Sequence, residues 1–322
     1  MTTEHGTGGT VGTNGIHESH LSHRRPSCQA RRDLRNGLLF AAPWLIGFTV
    51  FIAYPIAASL YFSFCEYDAI RGPKWVGLDN YRTMLLEDDL FWKSLWNTLD
   101  MVAFGLPVGL VASLGIALLL NQRLRGMAFY RTLYYLPSIT PIVATSILWL
   151  WLLNPQIGLI NVLLQKLGVA NVPGWLTDPA WSKPALILMG LWGAGGGMVI
   201  YLAALQDVPE ALMEAALLDG AGALQRFRHV TLPMLSPVIL FNLVMGLIGS
   251  FQYFTQAYVM TGGGPQDSTV FYALHLFNRA FLDFRMGYAS AMAWALFLIT
   301  LACTALVLRS SARWVYYAGE GA

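Results

Sequence analysis

Charge is what this sequence has least of. Only 12% of its 322 residues are Asp, Glu, Lys or Arg, while 56% are hydrophobic, at a mean hydropathy of +0.51; soluble domains carry roughly 25% charged residues. The scarcity is organised. Marking every charged residue leaves six uncharged segments of more than 20 residues, at 36–65, 101–122, 132–165, 184–206, 229–266 and 286–308. A bilayer core holds no water to satisfy backbone groups, so a chain crosses it as helices of ~20 apolar residues. The composition therefore predicts an all-α polytopic membrane protein of six transmembrane helices, near 38–62, 99–120, 133–153, 184–205, 234–256 and 288–308. The segments at 132–165 and 229–266 exceed one span, and each is expected to hold one helix plus structure outside the bilayer.

Other absences narrow the function. Blocks such as "VGLVASLGIALLL" do not alternate in polarity, which excludes a transmembrane barrel built from ~10-residue alternating strands. The three cysteines, Cys28, Cys65 and Cys303, are scattered without C-x-x-C spacing and imply neither a disulfide nor a metal site. There is no G-x-x-x-x-G-K-[ST] and not even a Gly-Lys dipeptide, so ATP chemistry has no phosphate cradle here; H-E-x-x-H is missing too. The six uncharged segments hold no Asp or Glu, which argues against a secondary transporter coupling ions through intramembrane carboxylates. Nothing suggests nucleic acid. Residues 1–36 lack an apolar core and read as a disordered cytoplasmic tail, not a signal peptide. Its His5, His17, His20 and His23 fit that solvated tail better than a metal site.

Arginine sets the expected orientation. Twelve of the twenty basic residues fall in segments that share one side if both termini are cytoplasmic, including the short "NQRLRGMAFYR" turn with three Arg and no acid. The domain expected over 37–310 then ends in a cytoplasmic tail, 311–322. "IGLINVLLQKLG" reads as a short amphipathic helix on the opposite face.

Between the fourth and fifth spans lies a charged, glycine-broken loop, 207–233. Asp207 is placed as an N-cap with Pro209 in the first turn and Glu210 three residues on, as in a capping box. "EALMEAALLD" favours helix, and Gly220 suits the left-handed residue that ends one. A second short helix, "ALQRFRHV", is expected to stop at Leu232-Pro233. Ala211, Leu212, Ala215, Leu218 and Phe227 give the element an apolar side that lipid alone could cover. The small residues around Glu214 and the glycines at 220 and 222 instead suit close approach to a protein groove.

The spaced set Glu214-Ala215-Ala216, Gly220, Phe227, Val230 and Leu232-Pro233 resembles the EAA loop of ABC importer permeases. "TGGGPQDST", "WVGLDNYRTML", "YRTLYYLPSITP" and "IAYPIAASLYFSF" are similar to the carbohydrate branch, the maltose and glycerol-3-phosphate type, so the resemblance covers about residues 38–310. It implies a permease subunit, not an enzyme, in the inner membrane. The implied partners are a second homologous permease, a dimer of ATPase subunits that bind ATP and Mg, and an extracytoplasmic solute-binding protein that delivers a sugar or oligosaccharide. Glycerol-3-phosphate or a polyol is the alternative substrate. Coupling to the ATPase is assigned by the resemblance to Glu210, Glu214, Ala215, Ala216, Asp219, Gly220, Phe227, Leu232 and Pro233.

A substrate site is expected on helix five. Asn242, Gly246, Gly249, Tyr253 and Gln256 recur at spacings of 4, 3, 4 and 3 and share one helical face. Such a stripe also serves helix packing. Adjacent Ser250 and Gln252 widen its polar surface, and Trp192 on helix four, like Tyr253, could stack on a sugar ring.

Overall fold

The computed structural model describes residues 28–316 except 69 and 123. The tail histidines and residues 317–322 lie outside that range. Residues 28–36, expected within the disordered tail, are instead helical. The chain divides at Ile56 into two compact units. The described part of the first is α1 (Cys28–Phe48), a π turn (Thr49–Ala53) and the start of α2 (Tyr54–Ser63).

The second unit, Ala57–Ala322, opens with a small antiparallel hairpin, β1 (Cys65–Glu66) on β2 (Lys74–Trp75), the one sheet among the described residues. After α3 (Asp79–Leu86), α4 (Asp89–Asp100) continues through a π turn (Met101–Gly105) into α5 (Leu106–Leu120). This second span is thus longer than expected and carries Asp100 near its hairpin end. The expected third helix is broken: α6 (Met127–Ile139) and α7 (Ile142–Leu152) meet at 97°. Pro137 lies in the last turn of α6, and Pro141 follows the corner, where it removes a donor and its predecessor Thr140 is extended at φ −68°, ψ 135°. The amphipathic helix is present as α8 (Leu159–Lys166).

The expected fourth span is also bent. α9 (Pro179–Trp192) and α10 (Gly195–Gln206) meet at 49° across Gly193 and Ala194. Then come α11 (Glu210–Leu218), α12 (Ala223–Arg226), a π turn (Phe227–Thr231) and α13 (Leu232–Phe251). Leu232-Pro233 does not end the second loop helix, because Ala223–Phe251 is one continuous helix. The reason recurs: Pro55, Pro107 and Pro233 each lie two residues beyond a π turn. The wider turn accommodates the missing donor and the ring that would otherwise strike the carbonyl four residues back. The chain closes with α14 (Thr255–Met260), α15 (Tyr272–Phe277), a π turn (Asn278–Leu282) and α16 (Met286–Ser311). Among the described residues, four helices are long and apolar enough to cross a bilayer, and counting each bent pair as one span makes six.

Packing gathers at the two ends of the bundle. At the hairpin end, Met101, Trp149, Leu186, Met189, Phe271 and Leu274 belong to one apolar cluster. At the other, here the loop end, Ala117, Leu120, Met198, Tyr201, Leu205 and Leu235 join α5, α10 and α13.

Candidate functional site

The loop end presents α11 as a bare helix. None of its residues is buried, and Leu218 is 89% exposed. Asp207 is not its N-cap: it terminates α10, and α11 starts at Glu210 behind Pro209, without a side-chain cap. The expected box fails because the proline sets the entry. The other end matches expectation closely. Gly220 has φ +76°, its N–H donates to Leu217 O at 3.0 Å and that of Ala221 to Ala216 O at 2.9 Å, a Schellman closure. After the bend, Gln225 Oε1 accepts from Gly222 N at 2.7 Å and Arg226 Nη1 donates to Ala221 O at 3.0 Å.

The expected coupling residues fall into four groups. Ala216, Asp219 and Gly220 line a notch of about 290 Å³ with Gln225, Arg226 and His229. Glu210 lines a separate hollow of about 530 Å³ against Asn121, Gln122 and Met213, beside the α5–α6 turn. Glu214 and Ala215 are exposed, while Phe227, Leu232 and Pro233 are half-buried where α12 runs into α13. Gln225, Arg226 and His229 were missed. Their helical spacing just past Gly220 and Gly222 was the signal available.

Within the spans, a cavity of about 350 Å³ opens between the two clusters, bounded by α5, α9, α10 and α13. It gathers Asn242, Gly246, Gly249, Ser250 and Tyr253 and adds Ser113 and Tyr201. It does not include Trp192, which packs edge-on against Trp149 at 6.3 Å, nor Gln252 or Gln256. The stripe stops early because α13 ends at Phe251: Gln252 is its exposed C-cap and Gln256 sits in α14. Tyr253, past that end, is held edge-on by Phe271 at 5.1 Å. Ser113 Oγ donates to Ala194 O at 2.9 Å at the α9–α10 break, and Asn242 Nδ2 donates to Val238 O at 2.9 Å. Ser113 was legible by the same spacing rule, since Gly105, Gly109 and Ser113 repeat every four residues. Among the described residues, none that lines the cavity is charged. Beyond its hairpin end, Lys183 of α9 pairs with Asp100 of α4.

The hairpin end is dense with polar contacts. Asp88 caps α4 through Phe91 N at 3.2 Å, and its Oδ2 accepts from Tyr288 Oη at 2.6 Å and Arg279 Nη2 at 3.2 Å, with His275 Nε2 at 3.0 Å. The residues that follow "TGGGP" are tied to α4: Lys93 Nζ donates to Gln266 O at 2.7 Å, Asn97 Nδ2 to Asp267 O at 2.8 Å, and Tyr272 N to Thr98 Oγ1 at 2.9 Å. Among the described residues no group of three His, Cys, Asp or Glu is placed to hold a metal.

Residues 105–316, which include the cavity's helices and the loop, match the family described as "Binding-protein-dependent transport system inner membrane component". The chain belongs to that family. It is a permease subunit of an ABC importer, not an enzyme, and ATP hydrolysis is the work of a separate subunit. It is 43% identical over 296 residues to the probable ABC transporter permease protein YesP of Bacillus subtilis (strain 168), covering 91% of this chain and 96% of that one. It is 33% identical over 281 residues to the trehalose/maltose transport system permease protein MalF of Thermococcus litoralis, covering 86% and 94%. In structure it is similar to a chain of a bacterial ABC transporter that imports the acidic polysaccharide alginate, with TM-score 0.77, 26% identity and coverage of 88% and 99%.

Proposed function

We propose that this permease moves a neutral sugar or oligosaccharide across the inner membrane by alternating access. The observation that carries the reading is the uncharged cavity, where Ser113, Tyr201, Ser250, Tyr253 and Asn242 stand among apolar and glycine lining residues. Hydroxyl and amide groups match saccharide hydroxyls, whereas a phosphate or carboxylate would call for a cation, and Arg forks above all. That disfavours glycerol-3-phosphate and an acidic polysaccharide for this chain's half of the passage. The relation to the trehalose/maltose permease supports the same substrate class. Tyr253, backed by Phe271, offers the aromatic face; Trp192, turned onto Trp149, is left without that role.

The loop end faces the cytoplasm together with both termini, and α11 with its notch docks on an ATPase dimer that binds ATP and Mg. A second homologous permease faces the open side of the cavity, and a solute-binding protein delivers substrate to the hairpin end. Support for the docking comes from a helix with no buried residue held by a closed bend. Orientation is checked with Gln266→Cys, which should react with an impermeant thiol reagent from outside only.

The site itself is tested in the assembled importer in vesicles. Tyr253→Ala and Asn242→Ala should cut sugar uptake at least tenfold while ATP hydrolysis stimulated by the binding protein persists. Uptake unchanged by both would remove the passage from this cavity.

A further inference from the structure

Resting on that reading of the cavity as the passage, we infer that Gly109, Gly190 and Gly249 set its bore and thereby the size of saccharide admitted. Glycine within a span usually serves the close approach of a neighbouring helix, and several glycines on this wall do. A methyl at Gly246 would collide with the Leu106 side chain, and one at Gly197 would come within 2.9 Å of Ser113 Oγ. Gly109, Gly190 and Gly249 are different. They lie on three different helices, α5, α9 and α13, all line the cavity, and a Cβ built at any of them meets no atom within 4 Å. None has a positive φ, so backbone conformation does not require glycine either.

Glycine in a helix interior costs stability relative to alanine. With no neighbour to admit and no turn to make, what each of the three provides is empty width. A side chain there would project into the space that the hydroxyls of Ser113 and Ser250 and the Asn242 amide border. Polar groups select what is recognised; the three glycines select how much of it fits. In an assembled importer the alternative use of such bare positions is to receive a helix of the second permease, and the test separates the two.

The experiment uses the complete importer, with Gly→Ala and Gly→Leu made singly at 109, 190 and 249. The readouts are subunit co-purification, thermal unfolding, and uptake from a mixture of neutral saccharides of one to four rings read by mass spectrometry of the vesicle contents. Alanine variants should co-purify normally, unfold at an equal or higher temperature and lose the largest saccharide that the wild type accumulates by several-fold. Leucine variants should lose it more than tenfold, and where the wild type accumulates a single size, uptake should fall in the order Gly, Ala, Leu. Gly→Cys at the same positions, with Cys28, Cys65 and Cys303 replaced by serine, should react with a methanethiosulfonate ethylammonium reagent in the assembled complex. Loss of the second permease, a lowered unfolding temperature for alanine, or thiols shielded only after assembly would assign the glycines to packing and overturn the inference. Leucine tolerated at all three would also overturn it. If Asn242→Ala and Ser250→Ala likewise leave uptake intact, the reading of the cavity as the passage falls with it; if those two abolish uptake, only the bore is refuted.

Discussion

The two ends of this molecule satisfy their polar groups in opposite ways. At the hairpin end, one buried carboxylate, Asp88, meets a backbone N–H, a phenol, a guanidinium and an imidazole drawn from α4, α15, the π turn after it and α16, and Gln266, Asp267, Val270 and Tyr272 are bonded to α4. At the loop end, α11 buries nothing, and Leu218 and Leu224 stand 89% and 78% exposed. Hydrogen bonds at Gly220, Ala221 and Gly222 close its bend. One end is knit together by buried polar contacts; the other is an exposed helix of fixed shape. Stability should therefore be concentrated at the hairpin end and coupling at the loop end.

The sharpest way to break that contrast is to remove one carboxylate from each end. Asp88→Ala leaves Arg279 and Tyr288 without their buried partner, and stripping one member from a buried charged network costs about 3–5 kcal/mol. Glu214→Ala removes an exposed side chain and should change stability by no more than about 0.5 kcal/mol, yet uptake should fall. Unfolding of the purified chain in detergent, beside transport in the assembled importer, checks both. Equal effects on stability would erase the distinction.

A second pair compares glycines. At Gly287, where α16 passes the hairpin, a methyl would collide with the Cys65 carbonyl, so Gly287→Ala should cost about 1–3 kcal/mol as an overpacked contact. Gly220→Val meets no neighbour but forces a β-branched residue to positive φ, a local strain of about 1–3 kcal/mol confined to an exposed bend. Membrane insertion should survive that change while uptake is lost. Full uptake by Gly220→Val would show that the bend does not transmit force.

The spans were legible because absence of charge over ~20 residues has few other readings. The bend at Gly220 was legible because one backbone position requires what glycine supplies. What the sequence hid was continuity. Leu232-Pro233 looks like a stop, and whether a proline ends a helix or is absorbed by a π turn depends on tertiary contacts that a local rule does not contain. The same limit split the expected polar stripe on helix five, since its period could be counted past Phe251 although the helix could not continue. Ser113 and Tyr201 reach the cavity from other helices, and only the packed bundle brings them to Asn242.

The smallest expected effect is on pH and again concerns one end. Burial pushes the His275 imidazole below its usual value of 6.5, and its hydrogen bond to Asp88 opposes that without reversing it. Burial also pushes the Asp88 carboxyl upward, but the hydrogen bonds from Tyr288 and His275 and the charge on Arg279 outweigh it and hold the group below its usual value. Both signs point the same way. A base whose folded pKa is depressed stays neutral in the native state while the unfolded chain takes up a proton, so stability is lost as pH falls from about 6.5 through the lower folded value. Asp88 adds a second loss only below the ordinary carboxylate range, as pH drops through its own depressed value. Of these two groups, only His275 should act between pH 7.5 and 5.5. Hydrogen exchange corrected for intrinsic rates should show residues 272–282 opening more readily at the lower pH, with residues 210–218 already exchanging fast at both. His275→Gln keeps an N–H for Asp88 but removes the titration, and should flatten the response at 272–282. A response that survives the substitution would place the titrating group elsewhere.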